Sequence, residues 1–301
     1  MEKYIVPYVV IFIPAYNEEQ AIAKTIKDIL EKIAGKNQKD FIVDIIVIDD
    51  GSTDSTKKIG LASGAKRVVS HPKNMGLGAA TRTGMQTAYE MGADIAIKVD
   101  GDFQFDASDI EKLIRPILED EADCVFGSRF LGDRKYQGKN LYKSWGNKFF
   151  AWLISKITGL KVTDATTGFI AFNRRYLENF NIIKDYNETQ QLIVDSWGKH
   201  MRVTEVTVVW RKRTSGKSFI NLKYPLIVLP AIFRMYIHFK PLRFFIIAGL
   251  ILIILGILVG LSIIFFGETF FGDATIAILI IVGVQIIIFG LLADQISYRR
   301  K

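Results

Sequence analysis

Apolar and polar positions follow a repeating order through the N-terminal part of the chain: a short continuous apolar run, a polar loop, then apolar residues at helical spacing. Residues 9–13 form the first run, stopped by Pro14-Ala15-Tyr16-Asn17-Glu18, after which Ile22, Ile26, Ile29, Leu30 and Ile33 recur as on one face of a helix. Residues 43–48 repeat the theme and end in Asp49-Asp50-Gly51-Ser52-Thr53-Asp54, whose small and acidic side chains both turn the chain and cap a following helix. A short strand is expected at 67–70, and Asn74-Met75-Gly76-Leu77-Gly78 opens a helix running to Met91. Residues 95–99 are the next apolar run and lead into Asp100-Gly101-Asp102-Phe103-Gln104. Ser108 with Glu111 reads as a capping box for a helix ending at Leu118, and residues 123–127 read as a strand that ends at Ser128-Arg129. This alternation predicts an α/β fold, a mainly parallel sheet with helices on both faces, and places three acidic loops and Arg129 along one edge.

Beyond Arg129 the pattern changes. Over residues 136–160 an apolar stripe of Tyr142, Trp145, Phe149, Leu153 and Ile157 is interspersed with Lys139, Lys143, Lys148 and Lys156. A helix lying in a membrane interface has this look, and so does an ordinary helix packed on the core. Residues 221–243, interrupted by Pro225 and Pro230, are expected to lie along the bilayer and join residues 1–220 to a membrane domain at 244–301. Within that domain, residues 244–266 and 274–293 carry no charge, and each is long enough to cross a hydrocarbon core of about 30 Å as a helix.

Charge orients those spans. Arg234, Lys240 and Arg243 precede the first, and Arg299, Arg300 and Lys301 follow the second, whereas the connector at 267–273 holds Glu268 and Asp273 but no Lys or Arg. Both ends of the chain are therefore expected on the cytoplasmic side. The apolar run at 4–13 is broken by Pro7 and has no small-residue cleavage site, so it is not expected to be a signal peptide, and the bulk of the chain is expected to stay cytosolic. A single cysteine, Cys124, precludes an intrachain disulfide and suits a reducing compartment. The net charge of +8 fits anionic lipid and phosphorylated substrates; it would fit nucleic acid as well, but the spans favour lipid and set nucleic acid aside. Homo-oligomer formation is left open.

The candidate chemistry centres on Asp100 and Asp102. Ligands of open α/β sheets bind beyond the carboxyl ends of strands, and two carboxylates two residues apart there can face one hard divalent cation holding a diphosphate. The alternative is a plain turn, which Asp and Gly both favour. His71, His200 and His238 show no evident partner and are read as structural.

Together, Pro14-Ala15-Tyr16-Asn17-Glu18, Asp49-Asp50-Gly51-Ser52, Asp100-Gly101-Asp102-Phe103-Gln104, Gly127-Ser128-Arg129 and Asp164 with Gly168-Phe169 resemble the ordered signature of family 2 glycosyltransferases with a GT-A fold. Within that family the chain resembles the dolichyl- and polyprenyl-phosphate hexosyltransferases, which implies an inverting transfer from GDP-mannose or UDP-glucose, with an N-acetylhexosamine donor left open. The resemblance implies that Pro14, Tyr16, Glu18 and Asp50, with Asp49 close by, line the nucleoside pocket. It further implies that Asp100, Asp102 and Gln104 hold Mg²⁺ or Mn²⁺ and the diphosphate. Arg129, Lys139, Lys143 and Asp164 fall where the family meets the acceptor phosphate, and Arg213 with Ser218 match a loop that closes over the donor. Gln191 departs from the acidic residue common there, and Lys139 and Lys143 only loosely match the usual basic pair.

The chemistry is consistent with these implications. Expelling a nucleoside diphosphate from an anomeric carbon requires its oxygens to be neutralised, which a cation and an arginine can do. A phosphate monoester with a second pKa of roughly 6 is already ionised at neutral pH and needs no general base. A processive polysaccharide synthase of the same fold is the first alternative, but no Gln-X-X-Arg-Trp segment is present and two spans are few for a channel. An inactive, membrane-tethered nucleotide-sugar-binding protein is the second, opposed by the intact Asp100, Asp102 and Arg129.

Overall fold

The computed structural model describes residues 6–34, 41–132, 141–183, 185, 188–211, 224–267 and 273–298. The chain divides into two compact units, Met1–Ala231 and Ile232–Lys301.

In the first unit, β1 (Tyr8–Ala15), α1 (Ile22–Ala34), β2 (Ile42–Asp49), α2 (Thr56–Ala62), β3 (Arg67–Ser70), α3 (Leu77–Glu90) and β4 (Ile95–Lys98) alternate as the apolar pattern predicts. A 3₁₀ turn (Ala107–Asp109) then leads through α4 (Ile110–Leu118) to β5 (Cys124–Ser128). Here the expected Ser108–Glu111 box gives way to a different cap: the Asp106 carboxylate accepts the Ser108 N–H at 3.0 Å, because the 3₁₀ turn starts the helix two residues early. Next come α5 (Leu141–Thr158), β6 (Ile170–Asn173), α6 (Arg174–Leu177), α7 (Glu188–Gly198) and β7 (Val203–Thr207). β1 is buried on both faces: Val9, Ile11 and Ile13 share one cluster with Ile22, Ile26 and Ile29 of α1 and with Leu113 of α4, while Val10 and Phe12 on the other face are fully buried as well. Cys124 is buried in β5, and burial pushes its thiol well above the usual range.

The strands are ordered β3-β2-β1-β4-β6-β5-β7 and run parallel except for β6, which is antiparallel to both neighbours. That reversal positions the site. Ile170 pairs with Lys98 at the end of β4 and with Phe126 near the end of β5, so the segment entering β6, residues 164–169, emerges at the edge where Asp100 and Arg129 lie. A parallel strand would have delivered it to the opposite edge.

At that opposite edge Asp123 joins three strands, accepting from Asn173 Nδ2 at 2.7 Å, the Arg202 N–H at 2.8 Å and Arg202 Nη2 at 3.1 Å. Burial alone would raise its pKa, but the Arg202 side chain and N–H and the Asn173 amide hold it below the usual carboxylate range. The stabilisation is therefore present above the unfolded pKa of about 3.9 and is lost as pH falls through the lower folded value. Asp123→Ala should cost about 2 kcal/mol near neutral pH, read by denaturant melts, with the deficit shrinking in strong acid.

The chain continues through α8 (Tyr224–Phe239) into α9 (Pro241–Phe266) and α10 (Asp273–Tyr298). The last two pack against each other and are long and apolar enough to cross a membrane. They contain the expected spans and extend them by a few residues at the outer ends.

Candidate active site

Loop 100–104 follows β4 directly, and its first carboxylate is fixed from two sides. Lys98, fully buried in β4, donates from Nζ to Asp100 Oδ1 at 2.8 Å and reaches Glu188 Oε1 at 3.0 Å. Burial would lower the pKa of this ammonium, but Asp100 and Glu188 hold it above its ordinary range. On the other side the Asp100 carboxylate lies over Gly168, where a Cβ would come 1.8 Å from Oδ2. Thr189 Oγ1, one residue into α7 from Glu188, donates to the Thr167 carbonyl at 2.7 Å and ties this helix to the same loop.

Asp102 is nearly buried and accepts the Gln104 N–H at 3.2 Å. With the Gln104 amide oriented to satisfy both its ends, its nitrogen donates to Asp102 Oδ2 at 2.7 Å and its oxygen accepts from Trp210 Nε1 at 3.1 Å. Between them Phe103 adopts a left-handed φ of 61°, an uncommon conformation for an aromatic residue, over which the Arg211 guanidinium stacks at 4.5 Å. The Arg211 N–H donates to the Gln104 carbonyl at 2.7 Å, and its Nη1 donates to Asp28 Oδ2 at 2.9 Å and the Phe105 carbonyl at 3.0 Å. Arg211 therefore clasps the loop in its strained shape.

Trp210 also links this loop to Arg129, whose guanidinium lies 4.5 Å from its ring. Arg129 grips Asp164 through Nε at 2.6 Å and Nη2 at 2.7 Å, and Nη2 also donates to Thr166 Oγ1 at 2.7 Å. Asp164 is fully buried, and its own N–H donates to Glu205 at 3.1 Å. Burial raises the Glu205 carboxyl despite hydrogen bonds from Thr163 and Asp164. From α5, Asn147 accepts the Ala165 N–H at 2.9 Å and the Thr166 hydroxyl at 3.1 Å. The same helix buries Phe150 and Ile154 and exposes Trp145, Phe149 and Trp152.

On the nucleoside side, the loops after β1 and β2 are laced together. The Asn17 N–H donates to Ser52 Oγ at 3.0 Å, the Glu18 N–H to Thr56 Oγ1 at 2.8 Å, and the Thr53 N–H to Asn17 Oδ1 at 2.9 Å. Pro14 is buried, Tyr16 is half-buried, and Asp49 accepts the Ser52 N–H at 3.0 Å. Gly51 has φ 73° and leaves no room for a Cβ, which would come 2.3 Å from the Lys73 backbone. Asp50 accepts the Met75 and Gly76 N–H groups at 2.9 and 2.8 Å. It also meets His71 Nδ1 at 2.6 Å, while His71 Nε2 lies 2.9 Å from Thr83 Oγ1. His71 thus has the two partners that the sequence reading did not see; it braces Asp50 against α3.

The fold thus gathers Asp100, Asp102, Gln104, Arg129 and Asp164 into one cluster linked through Gly168 and Trp210, with Pro14, Tyr16, Glu18, Asp49 and Asp50 in a second set of interlocked loops. Arg213, Ser218 and Lys139 lie outside the described residues, and of Lys143 only its place in α5 is described. Gln191, buried, accepts the Ile183 N–H at 3.0 Å and so holds the segment leading into α7. Sequence reasoning gave no role to Lys98, Glu188, His71, Trp210 or Arg211. Of these only Lys98 carried a signal, as a charge inside an otherwise apolar strand.

Among the described residues no group of three or more His, Cys, Asp or Glu is poised to hold a metal ion. A two-carboxylate set nevertheless suits Mg²⁺ or Mn²⁺, which commonly take one or two carboxylates and complete their shell with water and substrate phosphate oxygens. Asp100 and Asp102 fit that requirement.

The chain matches the family described as Glycosyl transferase family 2 over residues 10–180 and the GtrB C-terminal hairpin over residues 240–298. It is 35% identical to a UDP-N-acetylglucosamine–dolichyl-phosphate N-acetylglucosaminyltransferase of Methanococcus voltae, covering 56% of this chain and 70% of that one. It is 26% identical to an undecaprenyl-phosphate 4-deoxy-4-formamido-L-arabinose transferase of Pseudomonas fluorescens, covering 99% and 87%. The fold is shared with glucosyl-3-phosphoglycerate synthase of Mycobacterium tuberculosis in complex with Mn²⁺, UDP and glucosyl-3-phosphoglycerate, at a TM-score of 0.55 and 22% identity over 77% of this chain and 78% of that one. A GT-A type mixed sheet, the acidic loops at its edge and the matched domain lead to one conclusion: this chain belongs to glycosyltransferase family 2.

Proposed function

We propose that this chain transfers a sugar from a nucleotide sugar to a polyprenyl or dolichyl phosphate at the cytoplasmic face of a membrane. The single observation that carries the reading is the convergence of loop 100–104 with the Arg129–Asp164 pair at one sheet edge, in a chain that ends in a hairpin of two apolar helices. The lipid-phosphate acceptors in the names of the relatives from Methanococcus voltae and Pseudomonas fluorescens support the acceptor class, and the Mn²⁺ and UDP of the structural neighbour support a divalent cation and a nucleoside diphosphate.

Asp100 and Asp102, with Gln104 orienting the second, would hold Mg²⁺ or Mn²⁺. Once bound, that ion neutralises the departing diphosphate. Pro14, Tyr16, Glu18, Asp49 and Asp50 would bound the nucleoside. Asp164 holds the Arg129 guanidinium 4.5 Å from the Trp210 ring, so a planar, permanently charged group would stand beside the metal loop, suited to an incoming phosphate. No base is required of the protein, since that phosphate attacks in its ionised form; His71 is committed to Asp50 and Thr83. The exposed Trp145, Phe149 and Trp152 of α5 would dip into the acyl boundary, bringing the lipid's headgroup to the segment that Asn147 holds.

The test is transfer by the full chain in vesicles containing polyprenyl phosphate, offered UDP-N-acetylglucosamine, UDP-glucose and GDP-mannose in turn. One of them should yield a lipid-linked sugar only when the lipid phosphate is present. Release of free sugar alone, or a growing polymer, would overturn the reading. Topology has its own check: a cysteine replacing Thr269 should react with an impermeant thiol reagent from outside the cell, and one replacing Ser297 should not. The reverse labelling would move the donor site out of the cytosol.

A further inference from the structure

We propose that Glu188 is a positioning residue for the divalent cation: it compensates the buried charge of Lys98, so that Asp100 keeps its negative charge for the ion while still being held in place. The inference rests on Asp100 and Asp102 being the cation site, and goes beyond it by assigning the electrostatic balance of that site to a residue on another helix.

Lys98 is fully buried in the centre of the sheet and cannot extend its ammonium to water. A charge in such a place must be paired, and it is paired twice, to Asp100 Oδ1 at 2.8 Å and to Glu188 Oε1 at 3.0 Å. The two partners differ. Glu188, in the first turn of α7, is as hidden as the lysine, whereas the Asp100 side chain retains 28% exposure and faces the edge where a cation would sit. With Asp100 as its sole partner, Lys98 would cancel that carboxylate and leave Asp102 as the one net negative charge at the site. With Glu188 present the three groups sum to one negative charge, and with Asp102 the site offers two. The ammonium can then act as a rigid hydrogen-bond donor to Asp100 without repelling a divalent ion. The bond from Thr189 to the Thr167 carbonyl keeps the start of α7 in register with the Gly168 loop that lies beneath Asp100.

A merely structural ion cluster predicts something else. Buried ion pairs are often replaced by apolar residues with no loss of stability, so their charges need have no effect on ligand affinity. The experiment is Mn²⁺ binding to the full-length protein in detergent in the presence of UDP or GDP, read as free Mn²⁺ by electron paramagnetic resonance, with a thermal melt of each variant. Glu188→Gln should bind Mn²⁺ about 10- to 100-fold more weakly than wild type, as expected when one negative charge near a divalent ion is removed, and should melt lower, since a buried ion partner is lost. Glu188→Asp, which keeps the charge, should stay within about threefold. Lys98→Met combined with Glu188→Leu restores the charge count and should recover most of the affinity lost in Glu188→Gln. Wild-type affinity in Glu188→Gln, or a double variant as weak as Glu188→Gln, would overturn the proposal. Should Glu188→Gln fail to fold, the double variant decides alone, with affinity near wild type supporting charge compensation and a loss of about a hundredfold overturning it. An absence of Mn²⁺ binding by the wild type with either nucleotide would instead overturn the reading of the site itself.

Discussion

Asp102→Ala should reduce sugar transfer by about a thousandfold or more while the protein still folds. Asp102 is nearly buried, and the Gln104 N–H and the Gln104 amide nitrogen donate to it. Both contacts leave the carboxylate an acceptor, as a ligand to a hard cation must be. Removing it takes away a ligand that the neighbouring acids are not placed to replace, since Glu188 is turned to Lys98 and Asp164 to Arg129. Loss of the charge that meets the departing diphosphate is a transition-state loss, and single electrostatic contacts of that kind are worth about a hundred- to a thousandfold each. Asp102→Asn keeps the shape and should fail nearly as badly, which separates charge from packing. Turnover close to wild type for either variant in excess Mg²⁺ would remove Asp102 from the cation site.

How much of this was legible in the sequence differs from element to element. The strands with continuous apolar runs and the helices with a clear stripe were readable, because burial on two faces and on one face leaves different periods in the chain. So were the two C-terminal helices long and apolar enough to cross a membrane, since each is an uninterrupted run without charge. The direction of β6 was not. Ile170–Asn173 is four residues long, and a run that short carries neither direction nor partner. Yet its reversal is what brings Asp164 and Gly168 to the site. Partners across the sequence were equally hidden: nothing local to Arg129 indicates that it grips Asp164, 35 residues away. Lys98 and Glu188 lie 90 positions apart, and nothing local to either indicates the other. The histidines show the same limit, because the partners of His71 belong to a loop and a helix that meet only in the folded sheet.

Gly168→Ala should lower transfer by at least about a hundredfold, although the substitution adds one methyl group at a position with no direct claim on substrate. Gly168 does not have the backbone conformation that favours glycine; the constraint is space. A Cβ there would come 1.8 Å from Asp100 Oδ2 and 2.2 Å from its Cγ, against an ordinary contact of about 3.4 Å or more, so the carboxylate or the strand must move. The backbone has little freedom to do so, since Ile170, two residues on, is paired with both β4 and β5. The carboxylate would therefore swing away, breaking its bond to Lys98 and leaving its place beside Asp102. Misplacement of a reacting group by about 1 Å is enough to cost a hundredfold. The displacement should appear as weaker Mn²⁺ binding in the presence of nucleotide as well as slower turnover. Adding Asp100→Ala to Gly168→Ala removes the collision, so the double variant should regain thermal stability relative to Gly168→Ala without regaining activity. A Gly168→Ala protein that transfers sugar at the wild-type rate would show that Asp100 does its work from some other position, and the close approach of these two residues would then be no part of the site.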